Sequence, residues 1–268
     1  NPVAVSRQGA TGLWQFMLGT GKIYGLKNNS FIDERRDPIK STWAAARYLK
    51  DLYAIYQDWN LVLAAYNCGP GTINKAIRRA GGATDYWTIY NYLPKETRGY
   101  VPAFIAANYI MTYYCEHDIC PMETQLPSAT DTIHIHKDLH LQQVAEVCNL
   151  NIDQLRSLNP QYKKDIIPGN SELCVLRLPN NTVSSFIDRQ DSIFAHKANE
   201  YLKKRKAVAI KDNTGIRTSS KGAVYHKIKS GDTLGGIAAK YHVSVNQLRR
   251  LNNIKGNNIR AGKSLRIR

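Results

Sequence analysis

Ala65-Tyr66-Asn67-Cys68-Gly69-Pro70-Gly71 is the stretch on which the fold turns. Before it, Leu61, Leu63, Ala64 and Ala65 recur at helical spacing. After it, Ile73, Ala76, Ile77 and Ala80 do the same, until Gly81-Gly82. Gly and Pro in direct succession stop one helix and start another. Outward from this corner the pattern repeats. Upstream, Ala45, Tyr48, Leu49, Leu52 and Tyr56 mark a helix after Asp37-Pro38, with Ser41 and Thr42 as candidate caps. Downstream, a helix opens near Pro94 and runs to about Tyr114, with Val101, Phe104, Ile105 and Tyr109 as core candidates. Pro102 then falls in a first turn or a kink. Short helices joined by tight turns predict an all-α domain over residues 1–125.

Beyond Pro121 the helical pattern stops and an internal repeat begins. Shifted by 93 residues, Leu141–Asn159 falls on Leu234–Asn252 without a gap and with seven identities in 19 positions. The identities are Leu141, Ala145, Gln154, Leu155, Arg156, Leu158 and Asn159 with Leu234, Ala238, Gln247, Leu248, Arg249, Leu251 and Asn252. Ile166, Gly169 and Ser171 keep register with Ile259, Gly262 and Ser264. Each copy opens on an alternating strand, Ile133-His134-Ile135 or Val224-Tyr225-His226-Lys227-Ile228. Each closes on another, Val175-Leu176-Arg177-Leu178 or Leu265-Arg266-Ile267. Two short amphipathic helices lie between, which predicts a small βααβ unit. The expected organisation is α+β and multidomain: the helical domain, a first repeat at 131–179, a basic and partly helical linker at 180–222, and a second repeat at 223–268.

Charge is uneven. The net charge is +16, yet residues 181–268 hold 19 of the 37 Lys and Arg and only 5 of the 21 Asp and Glu. A basic C-terminal third suits an anionic partner, whether nucleic acid, an anionic membrane face or an acidic wall polymer, and suits a solvated linker equally. The interleaved basic and aromatic surface of a nucleic-acid module is not in the pattern, so no nucleic acid is expected. No apolar run approaches the ~20 residues of a membrane span. Any export signal or anchor would lie upstream of Asn1. Of the five cysteines, Cys115 and Cys120 flank His117, a spacing that suggests metal. Zinc sites want four ligands and no second cluster follows, so no metal is expected. Cys115 with Cys120, and Cys148 with Cys174, are possible disulfide pairs; an odd count leaves one thiol over.

Four motifs in order give the helical domain a family likeness. Asn1–Ser6 leads into Gly12-Leu13-Trp14-Gln15-Phe16-Met17; Asp33, Arg36, Asp37 and Pro38 follow; then come Ala65–Gly71 and Glu96-Thr97-Arg98-Gly99-Tyr100-Val101-Pro102. Together they resemble the lytic transglycosylases of the goose-lysozyme-like fold, and in particular the branch with trailing LysM repeats. That family usually has Ala where Cys68 stands. Taken singly, Trp14, Phe16 and Met17 read as core, Gly69-Pro70-Gly71 as a turn and Tyr66-Asn67 as a helix end; their joint order points to a glycan cleft. The second repeat, with Ser230-Gly231-Asp232-Thr233-Leu234 and Leu251-Asn252, resembles the LysM domain closely. The first, with Asp138-Leu139-His140 at the matching loop, resembles it less.

The resemblance implies a lysozyme-like domain followed by two LysM-type domains, acting on peptidoglycan in the bacterial envelope, periplasmic and with any outer-membrane anchor upstream. No cofactor is implied. The expected reaction is non-hydrolytic cleavage between N-acetylmuramic acid and N-acetylglucosamine, leaving 1,6-anhydro ends; the alternative is a wall-binding protein that does not cut. The family's catalytic Glu belongs to a Glu-Ser pair ahead of Asn1, so residues 1–268 are expected to lack the general acid and to be inactive without it. By likeness, Ser6, Gln15, Phe16, Met17, Tyr66, Asn67, Glu96 and Tyr100 bind substrate and Tyr66 assists the chemistry. Gly231, Asp232, Thr233, Leu234, Asn253 and Ile254 form the LysM glycan groove. Gln and Asn amides offer both donor and acceptor to acetamido and hydroxyl groups, and a Tyr ring offers a flat apolar face with a polar tip.

Overall fold

The computed structural model describes the chain except residues 123, 125, 203–215, 219–223, 229–231, 242, 255, 257–258 and 268. It divides into two compact units. The first comprises residues 1–44 and 122–211, the second residues 45–121 and 212–268.

In the first unit, a looped N-terminal stretch leads to α1 (Leu18–Ile23), and α2 (Pro38–Tyr56) begins. Asp37 caps α2: its Oδ1 accepts from the amides of Ile39 and Lys40, both at 2.9 Å. The cap is thus not Ser41 or Thr42. Pro38 has no N–H to satisfy and sits in the first turn, which moves the cap to the residue before it. Ser41 instead donates to the Asp37 carbonyl at 2.6 Å.

The first repeat supplies the rest of this unit: β1 (Thr130–Ile135), β2 (Asp138–His140), α7 (Leu141–Cys148), α8 (Ile152–Leu158), β3 (Ile166–Pro168) and β4 (Cys174–Pro179). β1 pairs antiparallel with β4, Ile133 opposite Leu176, and β2 with β3, Leu139 opposite Ile167. Alternate β4 residues Cys174, Leu176 and Leu178 face inward against Leu139, Val144 and Leu155. Phe31 and Ile32 share that core. They are held by the Phe31 carbonyl accepting from the amide of Lys163, and by Gln161, whose carbonyl accepts from the amide of Asp33.

The stretch after 180, expected to open a linker, opens as packed structure. α9 (Asn180–Asp188), α10 (Gln190–Ala195) and α11 (Ala198–Tyr201) follow β4 directly. Phe186 and Ile193 are fully buried in the core of the first repeat. Burying side chains of this size stabilises by about 1.5–3 kcal/mol each.

The second unit holds the remainder of α2, then α3 (Trp59–Cys68), α4 (Pro70–Arg79), α5 (Tyr86–Ile89) and α6 (Lys95–Thr112). Leu52, Leu61, Ala65, Ile73, Ile89 and Val101 form its buried interior. Asp58 caps α3 by accepting from the amide of Leu61 at 2.7 Å. Gly69, at φ 83° and ψ 145°, makes the corner that lets Pro70 start α4 at once. Pro102 lies inside α6 rather than in its first turn.

The second repeat also belongs to this unit: β5 (Ile216–Thr218), β6 (Val224–Lys227), α12 (Leu234–Tyr241), α13 (Val245–Asn252) and β7 (Ser264–Arg266), with the sheet ordered β5-β6-β7. The repeat identity has a structural cause. Asn159 donates to the carbonyls of Leu155 and Arg177 at 2.9 and 2.8 Å and accepts from the Arg177 amide at 2.8 Å. Asn252 makes the same three bonds to Leu248 and Arg266, at 2.8, 2.6 and 2.6 Å. In both copies one amide side chain ties the second helix to the last strand.

None of the five cysteines is in a disulfide. Cys148 and Cys174 are therefore not bridged, and Cys174 is a buried thiol pushed up to about 11, first by burial and then by Glu172. His117 lies 3.1 Å from the Tyr109 hydroxyl. Among the described residues no helix is long and apolar enough to cross a membrane.

Candidate functional site

The chemistry-bearing residues fall into three groups. The N-terminal group is organised by Arg35. Its guanidinium is buried, pairs with Asp33 at 2.8 Å, and donates to the carbonyls of Gly9 at 3.0 Å and Phe16 at 3.1 Å. Burial pushes the Asp33 carboxyl up, but hydrogen bonds from Arg35 and its charge outweigh that and hold it below its ordinary value. Gly12 has φ +90°, and a Cβ there would lie 1.9 Å from the Arg35 carbonyl oxygen, so only glycine lets the motif loop close on this arginine.

Within that loop, Ser6 Oγ accepts from the amide of Ala10 at 3.0 Å. Gln15 takes a left-handed φ of 49°, and its Nε2 donates to the Gly12 carbonyl at 2.7 Å. Phe16, expected to contact substrate, is instead buried beside Tyr24, ring centroids 6.5 Å apart. Met17 is exposed at the start of α1. Ser6 and Gln15 thus shape the loop, Phe16 anchors it, and Met17 is presented to solvent.

The second group sits where α3 ends against α6. Tyr66 and Asn67 occupy the last turn of α3. Asn67 Oδ1 accepts from Thr97 Oγ1 of α6 at 2.8 Å, and Thr97 is fully buried. That bond ties the Asn67 oxygen to α6 and occupies one of its two acceptor positions. Thr97 also hydrogen-bonds the Cys68 thiol, which burial pushes up and keeps neutral. Tyr66 packs on Tyr48 with ring centroids 5.2 Å apart. Its phenol is pushed well above the ordinary tyrosine range by burial, then by the Tyr100 and Tyr48 phenols, so it stays a hydrogen-bond donor. Glu96 and Tyr100, four residues apart on the first turns of α6, share one exposed face. The structure therefore brings Tyr66, Asn67 and Tyr100 together and adds Thr97. Thr97 stands inside the Glu96–Pro102 motif, but its contact across space is not written in that motif.

The third group lies in the second repeat. A cavity of about 810 Å³ is lined by Asp232, Thr233, Leu234, Gly235, Val245, Asn246, Arg249 and Ile259. Asp232 Oδ2 lies 2.8 Å from Nε2 of the buried His226, whose Nδ1 lies 2.7 Å from the Tyr241 hydroxyl. Thr233 Oγ1 accepts from the Gly236 amide at 3.0 Å in the first turn of α12, and the Leu234 side chain is buried in the core. Asn253, left-handed at φ 52°, and Ile254, whose amide donates to the Arg249 carbonyl, close the end of α13. Neither lines the cavity; Val245, Asn246, Arg249 and Ile259 do. Gly231 lies outside the described residues. Ile259 lies beyond α13 in the loop expected to face the groove, while Val245, Asn246 and Arg249, which were not expected, sit on the first turns of α13, where Arg249 matches Arg156 of the other copy, a signal already visible in the repeat.

Three segments match known families in chain order: residues 1–89 the Transglycosylase SLT domain, residues 129–195 the LysM-like domain of lytic transglycosylase MltD, and residues 226–268 the LysM domain. The middle match runs through α9 and α10 to 195, in keeping with the burial of Phe186 and Ile193. Over 271 aligned residues covering the whole chain, it is 29% identical to membrane-bound lytic murein transglycosylase D of Escherichia coli strain K12. The chain spans 57% of the length of that relative. It is also 38% identical over 98 residues to membrane-bound lytic murein transglycosylase F of Maricaulis maris, covering 32% of this chain and 20% of that protein.

Proposed function

We propose that this chain, which carries an SLT transglycosylase domain, an MltD-type LysM-like domain and a LysM domain, supplies the substrate cleft and the wall-binding repeats of a periplasmic peptidoglycan lytic transglycosylase. The observation that carries the reading is the Tyr66–Asn67 pair at the end of α3, pinned by Thr97 and neighboured by Tyr100. A protonated phenol, an oriented amide and an exposed aromatic suit a sugar's acetamido and hydroxyl groups and its apolar ring face.

The reaction moves one proton each way. A carboxylic acid protonates the glycosidic oxygen, and the bond to the muramic anomeric carbon breaks. The C6 hydroxyl of the same muramic residue attacks that carbon and gives its proton to the carboxylate. A 1,6-anhydro ring closes without water, unlike the two-carboxylate hydrolytic scheme. The acid is not assigned to the carboxylates of the N-terminal group. Asp33 is locked to Arg35, Glu34 is paired with Lys40 at 2.5 Å, and Asp37 caps α2. By the family likeness it is a Glu preceding the first motif. Glu96, exposed beside Tyr100, binds substrate. The second repeat holds the enzyme on the wall through Asn246 and Arg249, with Val245 and Ile259 as apolar walls.

Purified sacculi test this reading. The product of the whole gene should release muropeptides with 1,6-anhydro ends, one water lighter than hydrolysis products. Residues 1–268 alone should be retained on sacculi and release none. Reducing-end products would replace transglycosylase with hydrolase, and failure of retention would remove wall binding.

A further inference from the structure

The two repeats differ in one respect that their shared fold does not require. We propose that residues 196–201 plug the groove of the first repeat, making it a latent site for N-acetylglucosamine-containing glycan that Tyr201 keeps closed. The inference rests on the reading of the second repeat's cavity as a glycan groove.

The register of the repeats shows what the first groove would be made of. The cavity-lining Val245, Arg249 and Ile259 correspond to Ile152, Arg156 and Ile166, and Asn246 corresponds to Asp153. The apolar pair and the arginine are kept. Thr233 corresponds to His140, and each starts the first helix of its repeat. His140 does so by accepting from the Gln142 amide at 3.1 Å, and its own amide donates to Gln143 Oε1 at 2.9 Å. Where Thr233 lines an open cavity, His140 is covered: the Tyr201 ring stacks on it, centroids 5.0 Å apart and planes at 21°. An aromatic face lies against the groove wall where a flat sugar face would stack.

The covering segment is held by side chains that only the first repeat has. Gln143 is fully buried, and its Nε2 lies within hydrogen-bond reach of the carbonyls of Ile193, Phe194 and His196, at 3.1, 3.3 and 2.8 Å. The matching residue in the second repeat is Gly236. Glu146 accepts from Tyr201 Oη at 2.6 Å and Lys197 Nζ at 2.9 Å, and its Oε2 lies 2.6 Å from His196 Nε2. The matching residue there is Ala239. Neither Gly236 nor Ala239 has a side chain that can hold such a segment, so the plug is written into two of the positions at which α7 and α12 differ. The Tyr201 hydroxyl first, then His196 and Lys197, hold the Glu146 carboxyl well below the usual carboxylate range, in line with an acid that is always ionised and always able to hold the plug.

The number of glycan oligomers bound per chain decides the matter. Residues 1–268 carrying Tyr66→Ala and Asn67→Ala, which disable the helical domain's own cleft, serve as the wild-type reference for the plug, and titrating them with N-acetylglucosamine tetramer by calorimetry should give one site. In that background Glu146→Ala with Tyr201→Ala should give two, together with faster tryptic cleavage at Lys197. Tyr201→Ala alone, at a half-buried position, is the milder variant should the double variant fail to fold, and should also show the second site. One site in every chain, or two in the reference, overturns the plug. No binding by the reference with one site gained on release would leave the plug standing and sink the assignment of the second repeat. No binding by any chain would sink both.

Discussion

The Tyr86 hydroxyl donates to the carbonyl of Arg98 at 3.0 Å. This is the carbonyl four residues before Pro102, which inside an α-helix would have taken the amide hydrogen that proline lacks. Tyr86 is fully buried, and the same hydroxyl reaches the Thr97 carbonyl at 3.3 Å. The proline is tolerated inside α6 because a tertiary donor replaces the missing helical one. Tyr86→Phe should therefore cost about 1–3 kcal/mol, the penalty for orphaning a buried carbonyl. Pro102→Ala supplies the missing amide, so in a Tyr86→Phe background it should recover part of the loss. Urea unfolding of both single variants and the double variant measures this, and strict additivity would show that the two groups do not share one carbonyl.

Asn159 closes the first repeat through three bonds and is almost completely buried. Asn159→Ala removes them together and leaves strand and helix groups unmet, with an expected loss of about 2–4 kcal/mol. Asn252→Ala makes the equivalent cut at a more exposed position, where water can replace the lost partners. The first variant should lower its unfolding midpoint more than the second. Equal shifts would mean that burial does not set the cost.

Asp33 gives a pH signature of known sign. Its folded pKa lies below the unfolded value of about 3.9. Its contribution to stability is present above that unfolded value and is lost as pH falls through the depressed folded one. Urea midpoints should thus decline on acidification below about pH 4. Asp33→Asn removes this part of the acid dependence. It also strands the buried Arg35 guanidinium, at an expected cost of about 3–5 kcal/mol at neutral pH. An unchanged acid profile in the variant would assign the decline to other carboxylates.

What could be read in the chain followed periodicity and punctuation. Gly69-Pro70 marks the α3–α4 corner, and the alternation in Val175–Leu178 marks β4, because backbone rules act locally. The repeat exposed Asn159 and Asn252 before their bonds were visible. Other features depend on partners far along the chain. Phe16 looked like a cleft residue because its motif is shared with a cleft; its burial beside Tyr24 is a packing outcome. Phe186 and Ile193 stand among polar residues in a stretch expected to be partly helical, and only the core of the first repeat shows that they are buried. Thr97 lies 30 residues from Asn67, and no local pattern joins them. The cap of α2 was misplaced because Ser41 and Thr42 are good cap residues in the wrong turn, while Pro38 had already fixed the first one.

Thr97 carries the last prediction. Its hydroxyl holds the Asn67 oxygen, and on the proposed reading the Asn67 nitrogen is the group offered to substrate. Thr97→Val keeps the shape and removes the donor, so the part-buried Asn67 oxygen loses its tie to α6. Release of anhydro-ended muropeptides by the whole-gene product should fall by roughly tenfold or more, the scale on which a small misplacement near reacting atoms acts. Stability should fall by only about 1–2 kcal/mol. Thr97→Ser restores the hydroxyl and should recover most of the rate. A serine variant as slow as the valine variant would mean that the methyl group packed into the α3–α6 seam matters rather than the hydrogen bond. A valine variant at full rate would remove Asn67's orientation from the chemistry.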